Sequence, residues 1–173
     1  MRHLGFAVIL LSGVALAGEP ADTHGWGKVK WGMTLDDVQK VYPEAKPYQP
    51  KTENERDWLK ASDETVLEIP SIDLAHTKFE VNFLAQGPDK QIMMVEIYSR
   101  AGVTERTFAE LEKRLKLDHG EPASTSDKGG WVERTWMLPS TKIELWFHGT
   151  LQKEPPAAGI SYSPVVKGTR DKS

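Results

Sequence analysis

The segment TKFEVNF at 77–83 is followed 64 residues later by TKIELWF at 141–147, two strands written to one pattern. In each, apolar residues (Phe79, Val81, Phe83 and Ile143, Leu145, Phe147) alternate with a mostly polar set at the strand period of two. A recurrence of this kind restricts the chain to architectures that one unit, used twice, can build. The surrounding elements recur in the same order. In WGKVKWGMTLDDVQKVYP, Thr34 is an N-cap, Asp37 sits at N3 where its carboxylate can close a capping box, and Met33 and Val38 form a hydrophobic staple. AGVTERTFAELEKRLKLDHGEP repeats that signal 70 residues on, with Thr104 as cap and Val103 and Phe108 as staple. Thr107 replaces the acidic N3 residue, so the staple is expected there without the box. Phe108, Leu111 and Leu115 share one side of the second helix, and Glu112 and Lys116 pair at i, i+4 on the other. Tyr42-Pro43 ends the first helix and Gly120 with Pro122 the second.

Strand-like segments precede each TK strand, VLEIPSIDL at 66–74 and WVERTWML at 131–138, and follow each one, QIMMVEIYS at 91–99 and AAGISYS at 157–163. Tyr98-Ser99 and Tyr162-Ser163 are again 64 apart and are expected to be equivalent. Ile97 then corresponds to Ser161, while Ile160 and Tyr162 form the apolar pair. Either the registers differ between the copies or the sheet is covered on both sides there. PEAKPYQPKTENER at 43–56 is the connection expected to hold the few extra residues of the first copy. The expectation is an α+β protein of two fused modules, each a helix packed on a three- or four-stranded antiparallel sheet, spanning 25–99 and 100–164, with a flexible tail at 165–173.

The first residues carry a different signal. Arg2, an apolar run from Leu4 to Leu16 and Ala15-Leu16-Ala17 have the form of a secretory signal peptide over 1–17, with cleavage expected after Ala17. The expected location is the periplasm or outside the cell. No cysteine follows the cleavage point to take a lipid, so no direct membrane anchor is expected. Losing Arg2 moves the formal charge from -3 to -4, mild acidity without the basic stripe that nucleic acid requires. With no cysteine in the chain, thiol catalysis and thiolate metal ligation are excluded, and packing must hold the fold without disulfides.

Catalytic constellations are sparse. His24, His76, His119 and His148 form no pair at helix spacing, and no metal or other cofactor is expected. Asp36-Asp37 and Glu110-Glu112 suit a cap and a solvated helix surface better than an acid/base dyad, and Ser161 and Ser163 lack a nucleophile-elbow setting. The six tryptophans are more informative. Trp26 and Trp31 flank the first helix start as core covers, and Trp58 lies in the polar RDWLK. If Leu145 and Phe147 face inward, Trp146 points outward beside Glu144 and His148, where the first copy has Asn82. A large rigid ring on that face can anchor a partner at low entropic cost. Trp136 on the neighbouring strand is expected to join it. Two placements are open to these rings, an exposed binding patch of Trp136, Glu144, Trp146 and His148 or a buried seam between copies.

Gly32, Met33, Thr34, Asp36, Asp37 and Val38, echoed by Gly102, Val103, Thr104 and Glu105, resemble the helix start of the SmpA/OmlA outer-membrane assembly lipoproteins and of the beta-lactamase inhibitor protein fold. The resemblance implies a helical layer on an antiparallel sheet, in tandem as in the inhibitor, and a habit of binding other proteins. The lipidated cysteine of the first group and the disulfides of the second are absent. The functional expectation is a non-enzymatic protein-binding module of the cell envelope with an envelope protein as partner. Alternatives are a small cell-wall hydrolase, which requires Glu144 and His148 to converge in a cleft, and a structural envelope protein without a dedicated ligand. The sequence leaves the oligomeric state open.

Overall fold

The computed structural model describes residues 22–62, 64–149 and 155–166; the expected signal peptide and most of the expected tail lie outside them. In chain order the elements are β1 (Gly25–Trp26), β2 (Val29–Lys30), α1 (Leu35–Val41), β3 (Lys46–Pro47), α2 (Glu53–Ser62), β4 (Glu64–Leu74), β5 (Thr77–Gln86), β6 (Gln91–Ser99), α3 (Glu105–His119), β7 (Ser124–Lys128), β8 (Trp131–Met137), β9 (Thr141–His148) and β10 (Ala157–Pro164). The fold is α+β. β1 and β2 form a two-stranded sheet, and the other strands form one antiparallel eight-stranded sheet in the order β3-β4-β5-β6-β10-β9-β8-β7. The expected pair of separate sheets is therefore a single sheet. β6 and β10 join its halves through Val95↔Tyr162, Ile97↔Ile160 and Ser99↔Ala158.

One face of the sheet is the core. Phe79, Val81 and Phe83 of β5, Val95 and Ile97 of β6, Ile160 and Tyr162 of β10, and Ile143, Leu145 and Phe147 of β9 are buried together with Leu35 and Val38 of α1 and Phe108, Leu111 and Leu115 of α3. The alternation of period two puts these residues on one side, and the i, i+3, i+7 stripe of α3 closes over them. Phe108 meets Phe147 with ring centroids 5.8 Å apart. Arg134 fixes α3 from the side, donating to Glu112 (3.1 Å) and Asp127 (2.6 Å) with its guanidinium 5.6 Å from the Phe108 centroid.

Both helix starts are capped. Thr34 and Asp37 exchange the two hydrogen bonds of a capping box, and Lys40, hydrogen-bonded to Asp37, together with the Thr34 N–H holds that carboxyl down to about 2. At α3 the box is present as well, contrary to the expectation of its loss: the Thr104 N–H donates to Thr107 Oγ1 at 3.3 Å. A hydroxyl oxygen accepts a hydrogen bond as a carboxylate does, so an acidic N3 residue is not required. Thr34→Ala should lower the unfolding free energy by about 1 kcal/mol, measured by urea denaturation; an unchanged midpoint would show that α1 is held by its packing alone.

The halves are not matched throughout. α1 has 7 residues and α3 has 15, while the connection expected as a loop at 43–56 contains β3 and the start of α2. The net difference of a few residues conceals a shorter helix and an inserted one. α2 begins at its own capping box, in which Glu55 N–H donates to Thr52 Oγ1 (3.1 Å) and Thr52 N–H donates to Glu55 Oε2 (3.3 Å). The pairing register also resolves the parity conflict at β6 and β10. Val81 pairs with Ile97 and Leu145 pairs with Ile160, so the partners of these two positions lie 63 residues apart, not 64. Tyr98 and Tyr162 are thus not equivalent: Tyr162 is in the core and Tyr98 faces the other way. Val165, in the expected tail, donates its N–H to Ser140 O at 3.0 Å.

Candidate functional site

The face of the sheet opposite α1 and α3 carries the polar strand positions together with an aromatic cluster. On β9, Glu144, Trp146 and His148 alternate with the core residues, as the sequence pattern predicts. Trp136 does not join them. It pairs with Ile143 of the core face, is 1% exposed, and donates its Nε1–H to Gly120 O at the end of α3 (2.8 Å). In WVERTWM, Glu133 and Thr135 mark the outward parity, which places Trp136 inward and Trp131 outward. Trp131 is the tryptophan that completes the cluster.

Trp131, Trp146 and His148 hold their rings parallel within 13°, with centroids 5.4, 5.7 and 6.1 Å apart. Three nearly equal separations exclude a single column, so the rings are offset and form a platform. Trp131 is 39% exposed, and Trp146 and His148 are half-buried. Trp146 can lie down because its cross-strand partner is Gly159, where a Cβ would stand 2.6 Å from the indole. Gly159 also pairs with Tyr98 on β6, so the indole reaches toward the first half of the sheet. Of the two placements left open, the seam between face-packed copies does not occur, since the halves meet edge to edge at β6 and β10.

On the first half, α2 covers part of the same face without burying any of its own residues. Between α2 and Trp146 lies a depression of about 240 Å³ lined by Tyr48, Trp58, Asn82, Glu96, Tyr98 and Arg100 among others. It is flanked by two further depressions that share Arg100, one of about 450 Å³ at Trp131, Trp146 and His148, the other of about 300 Å³ at Lys51, Glu80 and Tyr98. Together they form a groove across the face. Its floor is rigid where side chains are paired: Tyr98 OH donates to Glu80 (3.0 Å), Lys51 donates to Glu80 (2.9 Å) and Tyr48 OH donates to Glu55 (2.9 Å). Burial, followed by the bond to Glu55, pushes the Tyr48 phenol up to about 12, and burial with the Glu80 charge raises Tyr98 as well. Both phenols stay protonated near neutral pH and act as donors.

Two acceptors in the groove are incompletely satisfied. Asn82 is 7% exposed and its Oδ1 is buried with no hydrogen bond, an arrangement that costs about 1–3 kcal/mol. Glu96 is its cross-strand neighbour, and burial pushes the carboxyl up, with Arg100 partly offsetting that shift. A carboxyl raised in the fold stabilises the protein below its unfolded value near 4.5 and loses that contribution as pH rises through the folded value. Glu96→Gln should therefore raise the thermal midpoint at pH 7 and have no such effect at pH 4; equal effects at both would exclude carboxyl desolvation as the cause.

Glu144 and His148 do not converge. Glu144 is bound to Lys142 at 2.6 Å, whereas His148 lines the cleft beside Trp131 and its Nδ1–H donates to Gly149 O (3.0 Å). Among the described residues, no group of three His, Asp or Glu side chains is placed to hold a metal ion, and no helix is long and apolar enough to cross a membrane. No protein-family model matches the chain, and comparisons with curated proteins and with solved structures give no match.

Proposed function

We propose that the chain is an exported, non-enzymatic protein-binding module of the cell envelope, and that its aromatic sheet face is the docking surface for an envelope protein. The observation that carries this reading is the platform of Trp131, Trp146 and His148, partly exposed on a sheet face whose opposite side holds the core. Large rigid rings at the edge of a groove bury much area on contact and lose little rotamer freedom, as binding hot spots require. Export is supported by the basic, apolar and A-x-A features of residues 1–17.

In this proposal the two halves descend from one helix–sheet module. Each contributes a capped helix and four strands, and the strand order runs outward from β6 and β10 in the same sequence on both sides. Gly32 and Gly102, both at positive φ, precede the two caps at the common offset of 70. These features favour kinship with the tandem modules of the beta-lactamase inhibitor protein fold and the SmpA/OmlA lipoproteins. The test is capture from envelope extract with the chain from Gly18 onward, compared with Trp131→Ala and Trp146→Ala. A specific partner that both variants lose is expected; a partner retained by both would remove the platform from the interface.

A further inference from the structure

The depression between α2 and Trp146 has a chemistry of its own. Two acceptors stand there on directly paired positions of β5 and β6: the buried Asn82 Oδ1, which has no hydrogen-bond partner, and the Glu96 carboxylate, on which Arg100 acts through its charge. Around them are the rings of Tyr48, Trp58, Tyr98 and Trp146. Two charged groups besides Glu96 line the depression. Glu55 already accepts from Tyr48 OH, Lys51 N–H and Thr52 N–H, while Arg100 lies over the Tyr98 ring at 5.8 Å and attracts Glu96 without a hydrogen bond to it. An anion entering beside Arg100 would still meet the Glu96 carboxylate and an acceptor oxygen. A neutral apolar group would leave both unsatisfied. A cation with several N–H donors satisfies both at once, and its charge is favoured over the faces of the surrounding rings.

We propose that this depression is a slot for one basic side chain of the docked protein, an arginine in preference to a lysine, with Glu96 and Asn82 Oδ1 accepting its hydrogen bonds and Trp58 and Trp146 flanking it. The proposal rests on the protein-docking reading of the sheet face. Arginine is preferred because its guanidinium is planar, more weakly hydrated than an ammonium, and offers donors in a fork that can reach two acceptors on adjacent strands. The slot would then supply specificity and the platform area.

The test uses the chain from Gly18 onward, 15N-labelled, titrated with N-acetyl-arginine amide, N-acetyl-lysine amide and the neutral N-acetyl-citrulline amide. The arginine probe is expected to shift the indole N–H resonances of Trp58 and Trp146 saturably, the citrulline probe roughly tenfold more weakly, as a charged hydrogen bond exceeds a neutral one. Glu96→Gln, which removes a desolvated carboxylate and should fold, is expected to abolish the saturable shift. Equal shifts with arginine and citrulline, or an undiminished arginine shift in Glu96→Gln, would overturn the slot. The two proposals fail separately: a partner lost in Trp131→Ala but held unchanged by Glu96→Gln sinks the slot alone, and a saturable arginine shift in a chain whose platform variants keep every partner sinks the docking reading alone.

Discussion

Trp136→Ala is expected to destabilise the protein by about 3–5 kcal/mol, the cost of emptying a large buried aromatic site, while Trp146→Ala leaves the denaturation midpoint within a small fraction of that. Two tryptophans ten residues apart on adjacent strands thus separate cleanly. Trp136 is enclosed by core residues, and its Nε1–H satisfies the Gly120 carbonyl at the C-terminus of α3, so truncation leaves both a cavity and a carbonyl without its donor. Trp146 lies across Gly159 on the half-buried face, where its loss exposes the Gly159 backbone to water. Urea denaturation of the two variants measures the contrast. Similar losses for both would mean that the two faces of the sheet are equally buried in solution.

Gly159→Val should have its largest effect on binding. Gly159 is paired on both sides, with Trp146 and with Tyr98, so its backbone is fixed between two strands. A side chain there would meet the indole at 2.6 Å, and the group free to move is the Trp146 ring. Driven off the sheet, the indole leaves the parallel arrangement with Trp131 and His148. Affinity for the partner should fall about 30-fold or more, the scale of a lost hot spot of 2 kcal/mol, while valine's strand preference keeps the fold. The red shift of tryptophan emission and the dissociation constant are the two readouts. Unchanged affinity with a shifted emission would show that the platform is not part of the interface.

Much of the architecture was legible because it is written in periods and caps. The TK strands, the segments around them and both helix starts are placed by alternation, N-cap chemistry and terminal Pro or Gly, signals that act locally. The joining of the halves into one sheet was not legible, since it depends on which strand edges meet. QIMMVEIYS does not fix the offset of β6: Ile92 and Met94 share one parity and Met93, Val95 and Ile97 the other, so hydrophobicity alone does not choose the inward face. The matching Tyr-Ser letters then suggested an equivalence that the pairing shifts by one residue. α2 was hidden by polarity, as none of its residues is buried, although Thr52 and Glu55 carried a readable capping box.

At the candidate site, Trp146 and His148 followed from strand alternation, and Glu144 shares their face while pairing with Lys142. Trp136 lies inward and Trp131 outward for one reason: on an antiparallel neighbour the outward parity follows that strand's own polar residues, here Glu133 and Thr135. The contrast of Asn82 with Trp146 acquires a structural meaning. Both face away from the core, Asn82 on β5 and Trp146 on β9, but Asn82 faces Glu96 across the strands whereas Trp146 faces Gly159. One half of the sheet offers unsatisfied acceptors and the other a flat aromatic surface. Nothing local to β5 announces that Asn82 would be both buried and unpaired, because that depends on the residues of β4, β6 and β9 beside it.

The most direct measurement is site-specific photocrosslinking in intact cells, with a photoreactive phenylalanine analogue at position 131 on the platform and, separately, at Leu117, which is 76% exposed on α3. A single covalent adduct with one envelope protein from position 131, absent from 117 and lost when Gly159→Val is introduced, is the predicted result. Adducts of the same identity and yield from both positions, or none from 131, would contradict a docking function for this face.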